Sequence, residues 1–473
     1  MTRQLAAVLL LLLPTVACRS QASGAPRPIV LITIDTLRAD HLGLYGGTGL
    51  ATPHMDRIGR EGAVVRTAYA PFGRTTQSVG TILTGLHPLR HGAFGLSHAL
   101  PESVETVTER LRASGYATAA FVTNVHLRRG QGFEQGFSLF SNAPERWERD
   151  SAFAITREGL AWLSQRAADE PFFLWLHYLD PHWAYAPDPE WARRADTDWS
   201  GGFDLFERVR SRQLAKGEII FSADEVLTAR EIEHARRLYA AEVAQTDAAI
   251  GELVAGLEQL GLLERVILLL TADHGEALGD HRYWFAHGEM LYDDTLWVPL
   301  LIRAPGLVPA GTELIGTALL EDVAPTLLEL ATGQDARGPH DGQSLADELG
   351  AGGRVRLGER TALHLTDHDF LHDENPRRYL PGLEGRWWAI RQGDWKLIRV
   401  PRGEGLAPEE ELYNLALDPK ERDDRLAHEP QIAARLRREL DRQQASFGRV
   451  EAADEAEVDE QLLDALRRLG YLN

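Results

Sequence analysis

The stretch Ile29–Ile34 (IVLITI), followed directly by Asp35, decides the fold of this chain. An unbroken run of apolar and β-branched residues, without the alternation of a half-exposed strand, is typical of a strand buried on both faces of a parallel sheet. The carboxyl ends of such strands form the edge at which α/β proteins bind their ligands. The sequence therefore predicts an α/β protein whose functional site includes Asp35.

Similar short apolar runs recur along the chain, and stretches with helical periodicity, such as residues 104–113 and 232–260, separate them. These runs cover residues 118–122, 172–176 and 266–270. Strands that alternate with helices indicate a large, mainly parallel sheet flanked by helices.

Polar residues follow each of these runs. They are Asp35, then Asn124 and His126, then His177, Asp180 and His182, and finally Asp273 and His274. Because the carboxyl ends of parallel strands meet at one edge of a sheet, we expect these side chains to lie close together. Carboxylate and imidazole groups bind divalent cations, so Asp35, Asp273 and His274 are the predicted metal ligands.

The chain has 473 residues, of which 44% are hydrophobic, and a formal net charge of −20. Such a chain can bury a large core. Its acidic balance leaves no broad basic surface for a nucleic-acid backbone, so we expect no nucleic-acid partner. An anionic substrate remains compatible with this charge, because a metal ion and a few Arg or His side chains can create a local positive site.

The N-terminus has the pattern of an export signal, with Arg3, an apolar run over residues 5–13, and small residues up to Cys18. The run is too short to span a bilayer, and a buried helix is the alternative interpretation. Cys18, the single cysteine, resembles the lipidated residue of bacterial lipoproteins, although Thr15 stands where that motif usually has Leu. We predict a signal peptide over residues 1–18, export to the periplasm or cell surface, and a lipid anchor at Cys18 that attaches the protein to a membrane.

Several motifs resemble those of sulfatase-like hydrolases in the alkaline phosphatase and sulfatase superfamily. In chain order they are IDTLRADHLG at residues 34–43, LTGLHP at 83–88, LDPH at 179–182, TADHGE at 271–276 and GDWKL at 393–397. The resemblance implies an alkaline-phosphatase-like sandwich, in which helices flank a large, mainly parallel sheet, plus a smaller C-terminal α+β subdomain. It also implies metal-dependent hydrolysis of sulfate or phosphate esters.

The chain divides into segments of different character. We predict a sulfatase-like catalytic domain over residues 27–360, a C-terminal subdomain over 361–447, and an acidic linker with a short docking helix over 448–473. A hairpin turn at Gly393 and Asp394, between two strand-like segments, supports the smaller subdomain.

The nucleophile is where the sequence departs from the resemblance. Sulfatases carry a formylglycine, made from Cys or Ser in a Cys/Ser-x-Pro-x-Arg motif, ten residues before the glycine that is Gly85 here. Thr75 stands at that position, and Gln77 and Val79 replace the Pro and the Arg. Thr75 cannot become formylglycine, but it resembles the nucleophilic threonine of nucleotide pyrophosphatases and lipoteichoic-acid synthases, which act on phosphoesters. We predict Thr75 as the nucleophile, with Thr76 as the alternative by register; capping of a helix that begins near Gln77 is the structural alternative.

The resemblance implies roles for other side chains as well. His126 would orient the nucleophile, with Asn124 in place of a lysine, and His182 would bind the substrate. His287, when protonated, would give a proton to the leaving oxygen. A structural role is the alternative for each histidine.

The expected cofactor is one divalent cation, either Ca²⁺, Mg²⁺ or Mn²⁺, with Zn²⁺ also compatible. Its predicted ligands are Asp35, Thr75, Asp273 and His274. A second ion would need a further group such as Asp180, His182 and His287, and one ion is preferred. Arg38 and Arg74 would either clamp an anion or form ordinary salt bridges.

Two other functions are compatible with the sequence. One is a sulfuric ester hydrolase that works without formylglycine, and the other is a catalytically inactive, lipid-anchored binding protein. Aromatic residues in the loops at residues 183–206 and 364–379 would suit a sugar or aryl group, but also ordinary packing. The sequence specifies neither the oligomeric state nor the alcohol part of the substrate, which would be a glycan, a lipid or another small molecule.

Overall fold

The computed structural model describes residues 26–95, 98–142, 152–167, 169–205, 208, 226–334, 338–366, 386–402 and 407–447. The predicted signal peptide with Cys18, the C-terminal segment 448–473 and most of the loop at 364–379 lie outside the described residues.

The strands are numbered in chain order. They are β1 (Ile29–Ile34), β2 (Ala63–Tyr69), β3 (Ala117–Val122), β4 (Leu139–Ser141), β5 (Phe172–Tyr178), β6 (Ile267–Ala272), β7 (Ala277–Leu278), β8 (Trp284–Ala286), β9 (Trp297–Arg303), β10 (Thr312–Leu319), β11 (Arg354–Arg356), β12 (Thr361–Leu365), β13 (Trp388–Gln392), β14 (Trp395–Val400) and β15 (Glu409–Asn414).

The α-helices are numbered in the same way. They are α1 (Pro53–Arg60), α2 (Thr75–Thr84), α3 (Pro88–His91), α4 (Val107–Ala113), α5 (Ala152–Leu163), α6 (Pro189–Ala195), α7 (Ala229–Gln259), α8 (Asp293–Leu296), α9 (Val323–Thr332), α10 (Ala346–Ala351) and α11 (Pro430–Phe447). Single turns of 3₁₀ helix lie at Ala39–His41, Gly43–Tyr45, Val125–Leu127, Asp280–Arg282 and Leu320–Asp322.

Within the described residues, nine strands form the main sheet, in the order β11-β10-β2-β9-β6-β1-β5-β3-β4. All pairs are parallel except those of β9, which runs antiparallel to both β2 and β6. Strand β1 lies near the centre, and all of its residues are buried, as its continuous apolar sequence predicts. The predicted α/β fold with a mainly parallel sheet flanked by helices is therefore confirmed.

The register of the central strands decides which residues meet at the edge. Ile34, the last residue of β1, pairs with Tyr178 of β5 on one side and with Ala272 of β6 on the other. The three strands thus end at the same level. Asp35 and Asp273, which directly follow β1 and β6, are consequently neighbours across the sheet edge.

A second, antiparallel sheet has the order β12-β13-β14-β15. The predicted hairpin is present, since β13 and β14 pair up to Gln392 and Trp395 and Gly393 turns with φ of 60°. Helix α11 packs Leu436 and Leu440 into the apolar cluster under this sheet. Among the helices that the structure describes, none combines the length and the apolar composition needed to cross a lipid bilayer.

Candidate active site

The predicted ligands converge at the edge formed by β1 and β6. Asp35, Asp273 and His274 have no solvent-exposed surface. Nε2 of His274 lies 3.7 Å from Oδ1 of Asp35 and 3.4 Å from Oδ2 of Asp273. Ligand atoms of Asp35, Asp273 and His177 also lie within 4.8 Å of one another. His177 is predicted from the sequence to lie at this edge, but it is not among the predicted ligands.

The polar atoms of this cluster fit a divalent cation. Oδ1 of Asp35, Oδ2 of Asp273 and Nε2 of His274 are buried and have no hydrogen-bond partner within the described structure, and the same holds for Nε2 of His177. Buried polar atoms are almost always paired, so the unpaired atoms of the two carboxyl groups and of His274, which face one another, need a common partner. Two carboxylate oxygens and an imidazole nitrogen suit a divalent metal ion.

The electrostatics of the two carboxyl groups support the same conclusion. Burial acts to raise the pKa of Asp35, but nearby His182 and a hydrogen bond from His177 hold that pKa well below its ordinary value. Burial, followed by the charge of Asp35, raises the pKa of Asp273 well above its ordinary value. Two ionised carboxylates in this buried space repel each other, and a cation between them would offset that free-energy cost.

Thr75 is the first residue of α2 and lies against the cluster, with 5% of its surface exposed. Its hydroxyl hydrogen-bonds to Asp273 and lies 3.4 Å from Nδ2 of Asn124. The helix begins at Thr75 rather than near Gln77. Its N-cap is Arg74, which makes no side-chain cap bond, so the alternative in which the threonines cap this helix is wrong.

Asn124 connects the nucleophile candidate to the metal-ligand candidates. Its side-chain amide donates to Oδ2 of Asp35 over 2.5 Å, and its Oδ1 accepts from the backbone N–H of His126 over 2.7 Å. Asn124 therefore has the contacts needed to orient the nucleophile, which is the role predicted for His126. His126 lies half-buried in the adjacent 3₁₀ turn, where burial and then Arg74 lower its pKa to about 3.

His182 and His287 lie on the outer side of the cluster. The ring centroid of His287 is 4.5 Å from that of His274 and 5.1 Å from that of His182. Nδ1 of His182 is 2.6 Å from the carbonyl oxygen of Trp183. The structure thus brings both histidines to the site, as predicted.

Glu276 is a further residue of the site, and no role for it is predicted from the sequence. It is fully buried, and its Oε1 lies 3.2 Å from Nδ1 of His287. Burial raises the pKa of Glu276 well above its ordinary value, and burial followed by His274 and His182 lowers that of His287 well below 6.5. The lowered pKa favours a neutral imidazole at His287, whereas a protonated imidazole is the prediction from the sequence. The signal was available, because Glu276 ends the motif that carries Asp273 and His274.

Of the two arginines, Arg38 is an ordinary salt-bridging residue. Its guanidinium binds Asp40 over 2.9 Å and Asp280 over 2.8 Å, and donates to the carbonyl oxygen of Glu276. It is therefore not a free anion clamp. Arg74 is bound to Glu289 over 2.5 Å.

Asp180 does not join the metal cluster. Its Oδ2 accepts a hydrogen bond from the backbone N–H of Ala152, at the start of α5. Among the described residues, the group of side chains close enough to share one metal ion consists of Asp35, His177 and Asp273 and does not include Asp180.

The aromatic residues of the loop at 183–206 divide into two kinds. Trp199 stacks on His234 at a centroid distance of 3.9 Å, so it serves packing against α7. Trp183 is half-buried beside His182, and its ring runs nearly parallel to that of Phe285, with centroids 6.5 Å apart. Of these two, Trp183 is the one next to a site histidine, and it also packs against the core.

The small sheet contributes a buried charge to this region. Lys396 of β14 is fully buried, and its Nζ lies 2.7 Å from Oδ1 of Asp293 and 2.8 Å from Oε1 of Glu421. Asp293 begins α8, whose Thr295 accepts a hydrogen bond from the backbone N–H of Gly275 over 2.8 Å. The small sheet is thereby connected to the residue that follows His274.

The mainly parallel sheet and the second, antiparallel sheet define the alkaline-phosphatase-like fold. The family model described as Sulfatase matches residues 27–333. This chain belongs to the sulfatase family and is a hydrolase of ester bonds.

Named relatives agree with this assignment. N-acetylglucosamine-6-O-sulfatase of Bacteroides thetaiotaomicron is 25% identical over 494 aligned residues, which cover 87% of this chain and 86% of the relative. A solved structure of a protein in complex with its substrate D-glucosamine-2-N,6-O-disulfate has a TM-score of 0.72 at 21% identity and covers 89% of this chain and 98% of its own. The phosphonate monoester hydrolase of Agrobacterium radiobacter has a TM-score of 0.68 at 19% identity and covers 89% of this chain and 96% of its own. These structural likenesses show the fold.

Proposed function

We propose that this protein is a metal-dependent hydrolase of sulfate or phosphate esters in which the hydroxyl of Thr75 is the nucleophile, at the position where sulfatases carry formylglycine. One observation carries the proposal. The Thr75 hydroxyl, hydrogen-bonded to Asp273, lies beside buried carboxylate and imidazole atoms that have no partner of their own.

The residues that would hold the cation are Asp35, Asp273, His274 and Thr75. When bound, the cation supplies positive charge that polarises the ester and makes the hydroxyl a better nucleophile. The first turn of α2 adds backbone N–H groups near Thr75, which favour an anionic group at that end of the helix.

In the first step, Oγ1 of Thr75 forms a bond to the phosphorus or sulfur atom while the bond to the leaving oxygen breaks. The hydroxyl proton passes to Asp273, its hydrogen-bond partner. Neutral His287 gives its ring N–H to the leaving oxygen and takes the proton of Glu276 at Nδ1.

In the second step, water attacks the same centre and the bond to Thr75 breaks. Thr75 regains its proton from Asp273. The proton of the attacking water returns through His287 to Glu276. The protein thus ends each cycle in its starting protonation state.

A threonine ester of phosphate is the intermediate that this chemistry yields most directly, whereas the names of the relatives favour sulfate. Sulfate ester hydrolysis without formylglycine is the second candidate function, because the sulfatase family model matches the chain. The phosphonate monoester hydrolase with the same fold supports testing a phosphorus ester first. A sulfated or phosphorylated glycan is the substrate class that the glucosamine-specific relatives suggest.

A substrate panel tests the proposal. The purified protein is assayed with 4-nitrophenyl sulfate, bis(4-nitrophenyl) phosphate and a 4-nitrophenyl phosphonate monoester, before and after chelation and with Ca²⁺, Mg²⁺, Mn²⁺ or Zn²⁺ restored. We expect turnover of at least one ester, its loss on chelation and its recovery with metal. Turnover that survives complete metal removal would contradict metal dependence, and a protein that binds substrate analogues without turning over any ester would be the inactive binding protein instead.

We propose further that the protein acts outside the cytoplasm, anchored through Cys18. The support is the N-terminal sequence, which lies outside the described residues. Expression of the full chain with Cys18→Ala should move the protein from the membrane fraction to the soluble exported fraction. An unchanged distribution would contradict the anchor.

A further inference from the structure

A chain of hydrogen bonds leads from the sheet interior to Asp35. The indole N–H of Trp175 donates to Oγ1 of Thr33 over 2.9 Å, and the same oxygen lies 2.7 Å from Nδ1 of His177. Nε2 of His177 then faces Oδ2 of Asp35 at 3.5 Å. All four side chains are completely buried, so water does not compete for these contacts.

The number of hydrogens on Thr33 and Trp175 determines which group donates in each of these hydrogen bonds. An indole N–H is only a donor, so Trp175 uses one acceptor site of the Thr33 hydroxyl. That hydroxyl has a single hydrogen, and within the described residues its other partner is Nδ1 of His177. If Thr33 donates there, its hydrogen has an acceptor, and the ring N–H of His177 faces Oδ2 of Asp35 at 3.5 Å, with no other partner in the described structure. Nδ1 of His177 is then the acceptor and Nε2 carries the ring proton.

We infer that His177 is a positioning residue for Asp35: its Nε2–H holds Oδ2 of that carboxylate and leaves Oδ1 for the metal ion. The inference rests on the proposed function. Asn124 donates to the same Oδ2 over 2.5 Å, whereas Oδ1 has no hydrogen-bond partner in the described structure. The hydrogen bond from Asn124 and the longer contact with Nε2–H of His177 act on the same oxygen and limit the rotation of the carboxyl group.

This arrangement excludes His177 from direct metal binding, although its ring lies close enough to the cluster for a ligand. A ligating Nε2 would need its lone pair, and the ring proton would then sit on Nδ1. Nδ1 would have to donate to Thr33, whose own hydrogen would lose its acceptor in a dry interior, which carries a desolvation cost.

The test uses Mn²⁺ binding by the metal-free full-length protein, without turnover. His177→Gln keeps an N–H donor, whereas His177→Leu removes it. We expect His177→Leu to weaken Mn²⁺ binding by about 10–100-fold, the usual effect of losing an outer partner of a ligand, and His177→Gln to restore most of it. His364→Leu is the matched control, because His364 is an equally buried imidazole that bonds to the carbonyl oxygen of Ala70.

Pulsed electron paramagnetic resonance of bound Mn²⁺ separates the two roles. The nitrogen couplings of directly bound imidazole should be the same in the wild type and in His177→Gln. Loss of one coupling in that variant would make His177 a ligand and overturn the inference, as would unchanged Mn²⁺ affinity in His177→Leu. If His177→Leu fails to fold, Thr33→Val tests the same chain of hydrogen bonds, and it should weaken Mn²⁺ binding.

These outcomes stand apart from those of the ester assays. A wild-type protein that binds Mn²⁺ but needs no metal for turnover would refute the proposed function and leave the role of His177 intact. A wild-type protein that binds no divalent cation would refute both.

Discussion

The side-chain amide of Asn124 donates to Oδ2 of Asp35 over 2.5 Å and at the same time lies 3.4 Å from the hydroxyl of Thr75. One residue therefore sets the position of a metal-ligand candidate relative to the nucleophile candidate. Asn124→Ala should lower kcat by about 10–100-fold, as expected when an outer partner of a ligand is lost. Asn142→Ala is the control, since it removes a neighbouring side-chain amide that donates to the backbone carbonyl oxygen of Asn124. Equal activity of the two variants in a steady-state assay would contradict this role.

Thr75→Ala should lower kcat by about 10³-fold or more, because it removes the atom that forms the covalent intermediate. Thr76→Ala is the matched control, since Thr76 is an equally buried neighbour in the first turn of α2. Thermal melting of both variants checks that folding is preserved. If Thr76→Ala is the inactive variant and Thr75→Ala retains turnover, the register of the nucleophile is wrong by one residue.

Glu276→Gln should slow esters with poor leaving groups by about 10²-fold and affect nitrophenyl esters much less. The reason is that Glu276 supplies the proton that His287 passes on, and a good leaving group needs no proton. The measurement is kcat for a series of phenyl esters of increasing leaving-group pKa. A uniform loss across the series would indicate a structural role for Glu276 instead.

Trp183→Ala should raise KM for a glycan or aryl ester by about tenfold while kcat changes little, because a stacked aromatic contact contributes to binding and not to the chemical step. Trp191→Ala is the control, since the Trp191 ring packs under the guanidinium of Arg194 at 4.3 Å, on α6. A KM that is unchanged in Trp183→Ala would place the substrate alcohol elsewhere.

Glu321 lies far from the metal cluster in sequence and gives a prediction about stability alone. Burial raises its pKa from 4.5 to about 8. The folded state therefore keeps a proton that the unfolded state releases, and the free energy of unfolding should fall as pH rises from 4.5 to about 8. The slope from this group is about 1.4 kcal/mol per pH unit. Urea unfolding at several pH values should show that Glu321→Gln lacks this part of the slope, and a parallel pH dependence in both proteins would contradict it.

Much of the fold could be predicted because buried parallel strands have a distinct composition. The run Ile29–Ile34 has no alternation, and the structure buries it on both faces. The same logic located Asp35 and Asp273, since residues directly after such strands have to lie at the sheet edge. The start of α2 was predicted two residues late, because Arg74 is not a typical N-cap residue and the threonines after it are.

The connections between site residues were harder to predict. Arg38 could bind an anion or a neighbouring acid, and only the fold shows that Asp40 and Asp280 lie within reach. His177 was visible as a polar residue near a strand end, but its relation to Thr33 depends on the pairing of β1 with β5. The register between strands decides which side chains on different strands can form hydrogen bonds. A short stretch of sequence does not predict that register.

Lys396 has a consequence for how this protein can change over evolutionary time. It belongs to the small sheet, yet one of its counter-ions, the half-buried Asp293, belongs to the segment that supports the edge of the main sheet. Removing the small sheet would leave Asp293 without that cation, beside the segment that holds Gly275 in place. The C-terminal part is therefore not an interchangeable accessory. A chimera that joins the catalytic part of one relative to the small sheet of another should work only when the two parts evolved as a matched pair.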